Sequence, residues 1–239
     1  MIGLKTKLLN WLLPAPVQAR HAEFSMIMSL DDEIGRPSPY LLEVALKASA
    51  EATNISLAEI SARLSEAPLY TDVWPGEHYK LLAGLVKVLQ PNLVVEIGTA
   101  AGLSALSLKK FLAPTAKVAT FDIVPWQQFP GAVLQAGDFA DGMLVQHVSD
   151  ISDKNTCNQY APLLSQAELI FMDAAKDGMM EQKILDNFKT ISFVRPPLIV
   201  FDDIRVWNML KIWRLITMPK IDLTSFGHWS GTGLVQWTT

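Results

Sequence analysis

The sequence predicts an α/β fold: a mostly parallel sheet, helices ahead of it, and an antiparallel strand pair at the C-terminal end. Three observations carry this. Short apolar runs recur at 93–97, 117–121, 143–148, 169–172 and 198–201, and most are separated by helix-length segments or loops. Parallel strands need crossovers of that length. The runs are predominantly apolar, as expected of strands covered on both faces. Finally, the last twenty residues, KIDLTSFGHWSGTGLVQWTT, read as two strands joined by a short Gly/Ser turn with Gly231 and Gly233 near the bend.

The elements follow in order. The first twenty residues carry Lys5 and Lys7, then a short apolar run broken by Asn10, Pro14 and Pro16. That run is too short for a membrane span or a convincing secretion signal, so a short amphipathic helix with Trp11 on its apolar face is expected. Residues 41–64 have apolar side chains at helical spacing, interrupted at 54–56, where Ser56 with Glu59 three residues later predicts the cap of a second helix. Residues 76–90, GEHYKLLAGLVKVLQ, form another amphipathic helix, which Pro91 and Asn92 end before the first strand. We therefore divide the chain into an N-terminal helical extension, 1–75, and a sheet domain, 76–239. The extension is expected to shape the substrate pocket or build a homodimer interface.

Composition narrows the function. The chain has 239 residues, 50% hydrophobic and 18% charged, with a net charge of −4. A globular chain with a large core is expected, and disorder and collagen-like repeats are excluded. The mild acidity offers no basic footprint for nucleic acid. The single cysteine, Cys157, provides neither a disulfide framework nor a zinc cluster, which points to a cytoplasmic chain.

In an open parallel sheet, ligands bind beyond the carboxyl ends of the strands, and here those ends are acidic. The first gives VVEIGTAAGLSAL, in which Glu96 closes the strand, Gly98 and Gly102 allow tight turns, and Thr99 and Ser104 flank the start of a helix. Its backbone amides and the Ser104 hydroxyl are expected to face an anionic ligand group. The dinucleotide fingerprint and the P-loop are both absent, which disfavours a nicotinamide cofactor and ATP. Asp122 ends the second run, where an acid accepts hydrogen bonds from a ribose diol. Asp173 ends the fourth run, and Asp202 and Asp203 end the fifth. Neighbouring strand ends lie about 4.8 Å apart, so these carboxylates can converge. Three ionised carboxylates at one point call for a cation, and hard oxygen donors suit Mg²⁺ or another divalent ion. Capping of the following helices is the plainer role for such acids, and it is the joint pattern that favours metal.

VVEIGTAAGLSALSL, followed by an acid after the next strand, resembles the first motifs of class I S-adenosylmethionine-dependent methyltransferases, with a Rossmann-like, doubly wound sheet. The resemblance spans roughly residues 74–237. It implies that Gly98, Thr99, Gly102 and Ser104 surround the methionine part of the cofactor, that Glu96 supports their loop, and that Asp122 holds the ribose. It implies an acid beside the adenine, for which Asp138 and Asp150 are the candidates. Asp150 is preferred because it follows the third apolar run, and its neighbour Ile151 would pack on the base. DAAKDG, with Asp202-Asp203 further on, resembles the metal-dependent O-methyltransferases of catechols, caffeoyl thioesters and antibiotic sugars. The resemblance implies Asp173, Asp202 and Asp203 as metal ligands, Asp173 also at the cofactor, and Lys176 as the base for the hydroxyl of a small-molecule substrate. The family's Asp-Asn pair is Asp-Asp here, which leaves the substrate class open between catechols and sugars.

Glu77 and His78 precede the helix before the first strand, where the resemblance implies contact with the cofactor; a surface-helix start explains them equally well, and they are left out of the candidate site. His21, His147 and His228 show no ligand spacing and are expected to be structural or exposed. Trp74, Trp126, Trp207 and Trp229 lie near loops able to roof a pocket. The rival readings are a non-catalytic cofactor-binding scaffold and an NAD-dependent oxidoreductase.

Overall fold

The computed structural model describes residues 35–64, 70–206 and 208–238. The expected helix around Trp11 and the side chain of Trp207 lie outside them. Helix α1 (Pro39–Asn54) starts with Pro39 in its first turn, and Ser38 caps it by accepting the Leu41 amide at 3.1 Å. The interruption at 54–56 is real, and a single helical turn, α2 (Ala58–Ser61), follows it. Ser56 Oγ accepts the Ala58 amide at 3.3 Å, but the cap position itself falls on Leu57, one residue later than expected.

Helix α3 (Tyr79–Leu89) buries Leu81, Leu82 and Leu85 completely, each worth about 1.5–3 kcal/mol relative to exposure. It packs on Leu41, Val44 and Ala48 of α1. Gly84 lets the helices approach closely, because a Cβ there would lie 2.5 Å from the Ala48 carbonyl oxygen. Gln90, in a left-handed conformation, ends α3 ahead of Pro91.

The sheet has the order β3-β2-β1-β4-β5-β7-β6. Its strands are β1 (Leu93–Ile97), β2 (Lys117–Asp122), β3 (Leu144–Val148), β4 (Leu169–Met172), β5 (Leu198–Asp202), β6 (Lys220–Asp222) and β7 (Thr232–Gln236). The first five pair in parallel, and β7 inserts antiparallel between β5 and β6. The predicted fold class is therefore observed. The C-terminal pair differs in its connection: residues 223–231 form a longer loop with a 3₁₀ turn, and Gly233 lies within β7, where the Trp213 ring leaves no room for a Cβ.

Helices α4 (Leu103–Lys109), α5 (Lys154–Leu164), α6 (Met179–Phe188) and α7 (Met209–Leu215) complete the α-helices among the described residues. One apolar layer joins α1, α3 and α4 to one face of the sheet, and a second joins α5, α6 and α7 to the other. Between β2 and β3 the chain makes only two 3₁₀ turns, Trp126–Gln128 and Ala136–Phe139. No helix among the described residues is long and apolar enough to cross a membrane.

Candidate active site

The strand order reverses direction at β1, and the crevice that such a switch point opens lies beyond the strands' carboxyl ends. A cavity of about 250 Å³ occupies it, lined by Gly98, Ala100, Asp122, Ser149, Ile151 and Asp173 among others. The β1 to α4 loop forms one wall. Gly98 has φ +98°, and a Cβ on it would lie 2.0 Å from the Asp173 carbonyl oxygen. The glycine thus lets the β1 loop pass directly against the end of β4.

Asp122 holds the same loop from the other side. Its Oδ2 accepts the amides of Thr99 at 2.9 Å and Ala100 at 3.0 Å, and its Oδ1 accepts that of Val124 at 3.0 Å. A carboxylate has roughly four acceptor positions, so capacity remains for a ligand hydroxyl at the cavity. The buried Thr99 hydroxyl pairs with Thr120 at 2.7 Å and accepts from Gln146 at 3.1 Å.

Glu96 is fully buried on β1, and neither carboxyl oxygen makes a geometrically satisfactory hydrogen bond. Burial pushes its pKa up to about 8, with the nearby Ser104 and Thr120 hydroxyls opposing that rise. Ser104 lies beside Glu96 and is not among the residues lining the cavity. Gly102, at φ +88°, begins α4 beneath Leu134, also outside that lining.

The two candidates for the adenine-side acid separate clearly. Asp138 is engaged elsewhere, taking both guanidinium nitrogens of Arg63 at 2.7 and 3.0 Å. Asp150 lies between Ser149 and Ile151, which both line the cavity, and its Oδ1 accepts the Ser152 amide at 2.8 Å.

Asp173 borders the cavity and also belongs to a second group. One carboxylate oxygen from each of Asp173, Asp202 and Asp203 lies within 4.8 Å of the others. Asp202 and Asp203 are buried, while Asp173 is partly open. Lys176 Nζ lies among them, 2.9 Å from Asp173 Oδ1 and 3.5 Å from Asp202 Oδ2, and paired with Asp203. Lys176 and Asp203 both have left-handed backbones, φ +61° and +59°, a conformation that costs a non-glycine residue about 1–2 kcal/mol. Glu181, buried on α6, fixes the lysine's loop by accepting the amides of Lys176 and Gly178. Burial opposes the charge on Lys176, but Asp173, Asp203 and Asp202 outweigh it and raise its pKa. In this geometry Lys176 is an ammonium that neutralises carboxylates. The base role expected of it requires those carboxylates to find another counter-charge.

Two histidines that sequence reasoning had passed over complete the group. His78 Nδ1 is 3.3 Å and His228 Nδ1 3.1 Å from Asp202 Oδ1. Burial disfavours charge on all three, yet the histidines hold Asp202 well below the ordinary carboxylate range, and Asp202 in turn raises both histidines. Backbone bonds between Gly76 and the Gly227–Trp229 segment bring the two histidine-bearing loops together. The only sequence signal for this was the C-terminal strand pairing, since the β5–β7 register sets Thr232 opposite Asp202 and His228 just before it. Trp229, largely exposed, packs edge-on against His228, whereas Trp74 lines a separate groove with Pro75 and Phe226 and Trp126 stacks on Phe139.

No protein-family model matches the sequence, and no curated protein matches it. Solved structures do match by shape. A methyltransferase from Geobacter sulfurreducens superposes with a TM-score of 0.52 at 16% identity, over 86% of this chain and 92% of that one. The fold is that of a Rossmann-like methyltransferase. The TDP-rhamnose 3'-O-methyltransferase CalS11, an enzyme in calicheamicin biosynthesis, is similar with a TM-score of 0.50 at 16% identity, over 85% and 97% of the two chains. At this identity the likeness extends to the fold alone.

Proposed function

We propose that this chain is an S-adenosylmethionine-dependent methyltransferase that moves a methyl group to a hydroxyl oxygen of a small molecule, with a divalent cation at its aspartate cluster. The observation that carries the reading is the double membership of Asp173. It borders the cavity at the β1, β2 and β3 ends and is also one of the three converging aspartates. A methyl donor in the cavity would therefore meet an acceptor held at the cluster. The similarity to a sugar O-methyltransferase accords with a hydroxyl acceptor but does not carry the argument.

The residues divide the work. Gly98 and the amides beyond it would face the methionine part of the donor, Asp122 the ribose, and Ile151 with Asp150 the adenine. The donor set of Asp173, Asp202 and Asp203, three oxygen donors that now share the Lys176 ammonium, fits a divalent cation as an alternative counter-charge. When bound there, such an ion lowers the pKa of an acceptor hydroxyl. The acceptor oxygen attacks the methyl carbon, the carbon–sulfur bond breaks, and sulfur keeps the electron pair as a neutral thioether. Lys176 Nζ can take the hydroxyl proton only when the aspartates have another counter-charge; otherwise it is already protonated and orients the acceptor, and the hydroxyl proton passes to water. Most of the acceleration would come from alignment and exclusion of water.

The test is incubation with S-adenosylmethionine, Mg²⁺ or Mn²⁺, and a panel of catechols, sugars and thioester-linked phenols, followed by mass spectrometry. The reading expects one added methyl group that an acid-stable ether retains. Donor binding with no product from any acceptor would favour the scaffold reading.

A further inference from the structure

We propose that His78, His228 and Asp202 form a nitrogen-containing metal centre that selects a transition-metal ion such as Zn²⁺, Co²⁺ or Mn²⁺ over Mg²⁺. This deepens the reading above and takes from it only the cation at Asp202; methyl transfer plays no part in the argument.

Geometry supplies the first support. Histidine nitrogens and carboxylate oxygens bind such ions at about 2.0–2.2 Å, which places neighbouring donors about 3–3.5 Å apart. The Asp202 Oδ1 separations of 3.3 Å to His78 Nδ1 and 3.1 Å to His228 Nδ1 have that spacing. Second, His78 is almost wholly buried, and its Nδ1 makes no geometrically satisfactory hydrogen bond although it faces Asp202. A buried ring nitrogen without a good partner is costly unless something occupies the space it addresses. Third, His228 presents its other nitrogen, Nε2, 3.5 Å from Glu77 Oε2. A carboxylate behind a metal-bound histidine fixes the ring and raises its basicity.

Asp202 divides the cluster. Its Oδ1 faces the histidines and its Oδ2 faces Lys176. The all-carboxylate side already has the lysine's positive charge, paired with Asp173 and Asp203. The histidine side has neutral or protonatable nitrogens, a donor type that suits Zn²⁺ and Co²⁺ and that Mg²⁺ avoids. Ser230 Oγ, 2.8 Å from His228 Nδ1 and bonded to Asp203, joins the two sides. His228 and Glu77 are the partly exposed members, which gives an ion a way in.

The full chain is stripped with chelator and titrated with Co²⁺ without methyl donor, following visible absorption. One equivalent is expected to bind with the ligand-field bands of a nitrogen-containing site, to resist millimolar Mg²⁺, and to yield to Zn²⁺. His228→Asn and His78→Asn are each expected to weaken Co²⁺ binding at least tenfold, with circular dichroism confirming that each folds. His228→Asn is the safer variant because that side chain is partly exposed. If Co²⁺ binds but neither substitution alters its affinity or spectrum, the histidine assignment is overturned while the cation reading stands. If Mg²⁺ displaces Co²⁺ at equal concentration, the selectivity claim fails. If no Co²⁺ binds up to about 1 mM, some −4 kcal/mol, both the centre and the cation reading fall.

Discussion

Lys176 Nζ lies 2.9 Å from Oδ1 of Asp173, close enough for the lysine to act as counter-ion to the aspartate that links the cavity to the carboxylate cluster. The same ammonium serves Asp202 and Asp203. Removing it leaves several negative charges in a partly buried space. Lys176→Met is therefore expected to destabilise the metal-free protein by about 1–3 kcal/mol, below the full cost of breaking a buried pair because the lysine is partly exposed. Millimolar Mg²⁺ or Ca²⁺ should restore more of that loss than it adds to the parent protein. Urea denaturation with chelator and with added ion checks this, and equal midpoints for parent and variant in chelator would contradict it.

Asp122 joins loop geometry to ligand binding. Replacing it with Ala removes the acceptor for the amides of Thr99, Ala100 and Val124. We expect S-adenosylhomocysteine affinity to fall at least tenfold, about 1.4 kcal/mol, with a stability loss of about 1–3 kcal/mol from the stranded amides. Asp122→Asn keeps one acceptor oxygen and should fall between. Calorimetry and thermal melting on the same samples separate the two effects.

A pair of glycine substitutions tests the close passage of the β1 loop against β4. Gly98 and Gly131 both have positive φ, but a Cβ on Gly131 meets nothing within 4 Å, whereas one on Gly98 meets the Asp173 carbonyl oxygen. Gly131→Ala should cost about 1–2 kcal/mol, the left-handed penalty alone. Gly98→Ala should cost clearly more and abolish measurable ligand binding. Equal melting temperatures for the two variants would show that the contact at Asp173 is unimportant.

Glu96 predicts the pH dependence. Its ordinary pKa of 4.5 is raised to about 8 by burial. Below pH 4.5 folded and unfolded chains both hold the proton, and the group contributes nothing to the pH dependence. Between 4.5 and 8 the unfolded chain releases it and the folded chain keeps it, so stability falls as pH rises, by up to about 1.4 kcal/mol per unit. Above 8 the loss is complete. Glu96→Gln should flatten this interval relative to the parent and gain most at alkaline pH. Denaturation midpoints from pH 5 to 9 check it, and parallel profiles for the two proteins would refute it.

The central strands β1, β4 and β5 were legible because each is a largely apolar run, buried throughout and closed by an acid or a glycine, which leaves it few alternatives. Asp122 and Asp173 could be placed by the same logic, since strand ends of a parallel sheet share one edge. His78 and His228 could not. They stand 150 positions apart in loops, and they meet through the Gly76 to His228 bridge and the antiparallel insertion of β7. The neighbour of Ser104 was hidden for a related reason: its position after Gly102 marks a helix start, but its proximity to the buried Glu96 follows from the fold. The ammonium state of Lys176 likewise depends on three carboxylates gathered from two strand ends, which no local pattern displays.

The central claim is the donor site at the switch point, and calorimetric titration of S-adenosylhomocysteine into the purified chain tests it most directly. The account predicts one site with a Kd of about 10 μM or tighter, about −7 kcal/mol, weakened by Asp122→Ala and unaffected by Arg195→Ala, an exposed side chain outside the cavity lining. No heat, and no binding by an independent method up to about 1 mM, weaker than some −4 kcal/mol, would contradict it.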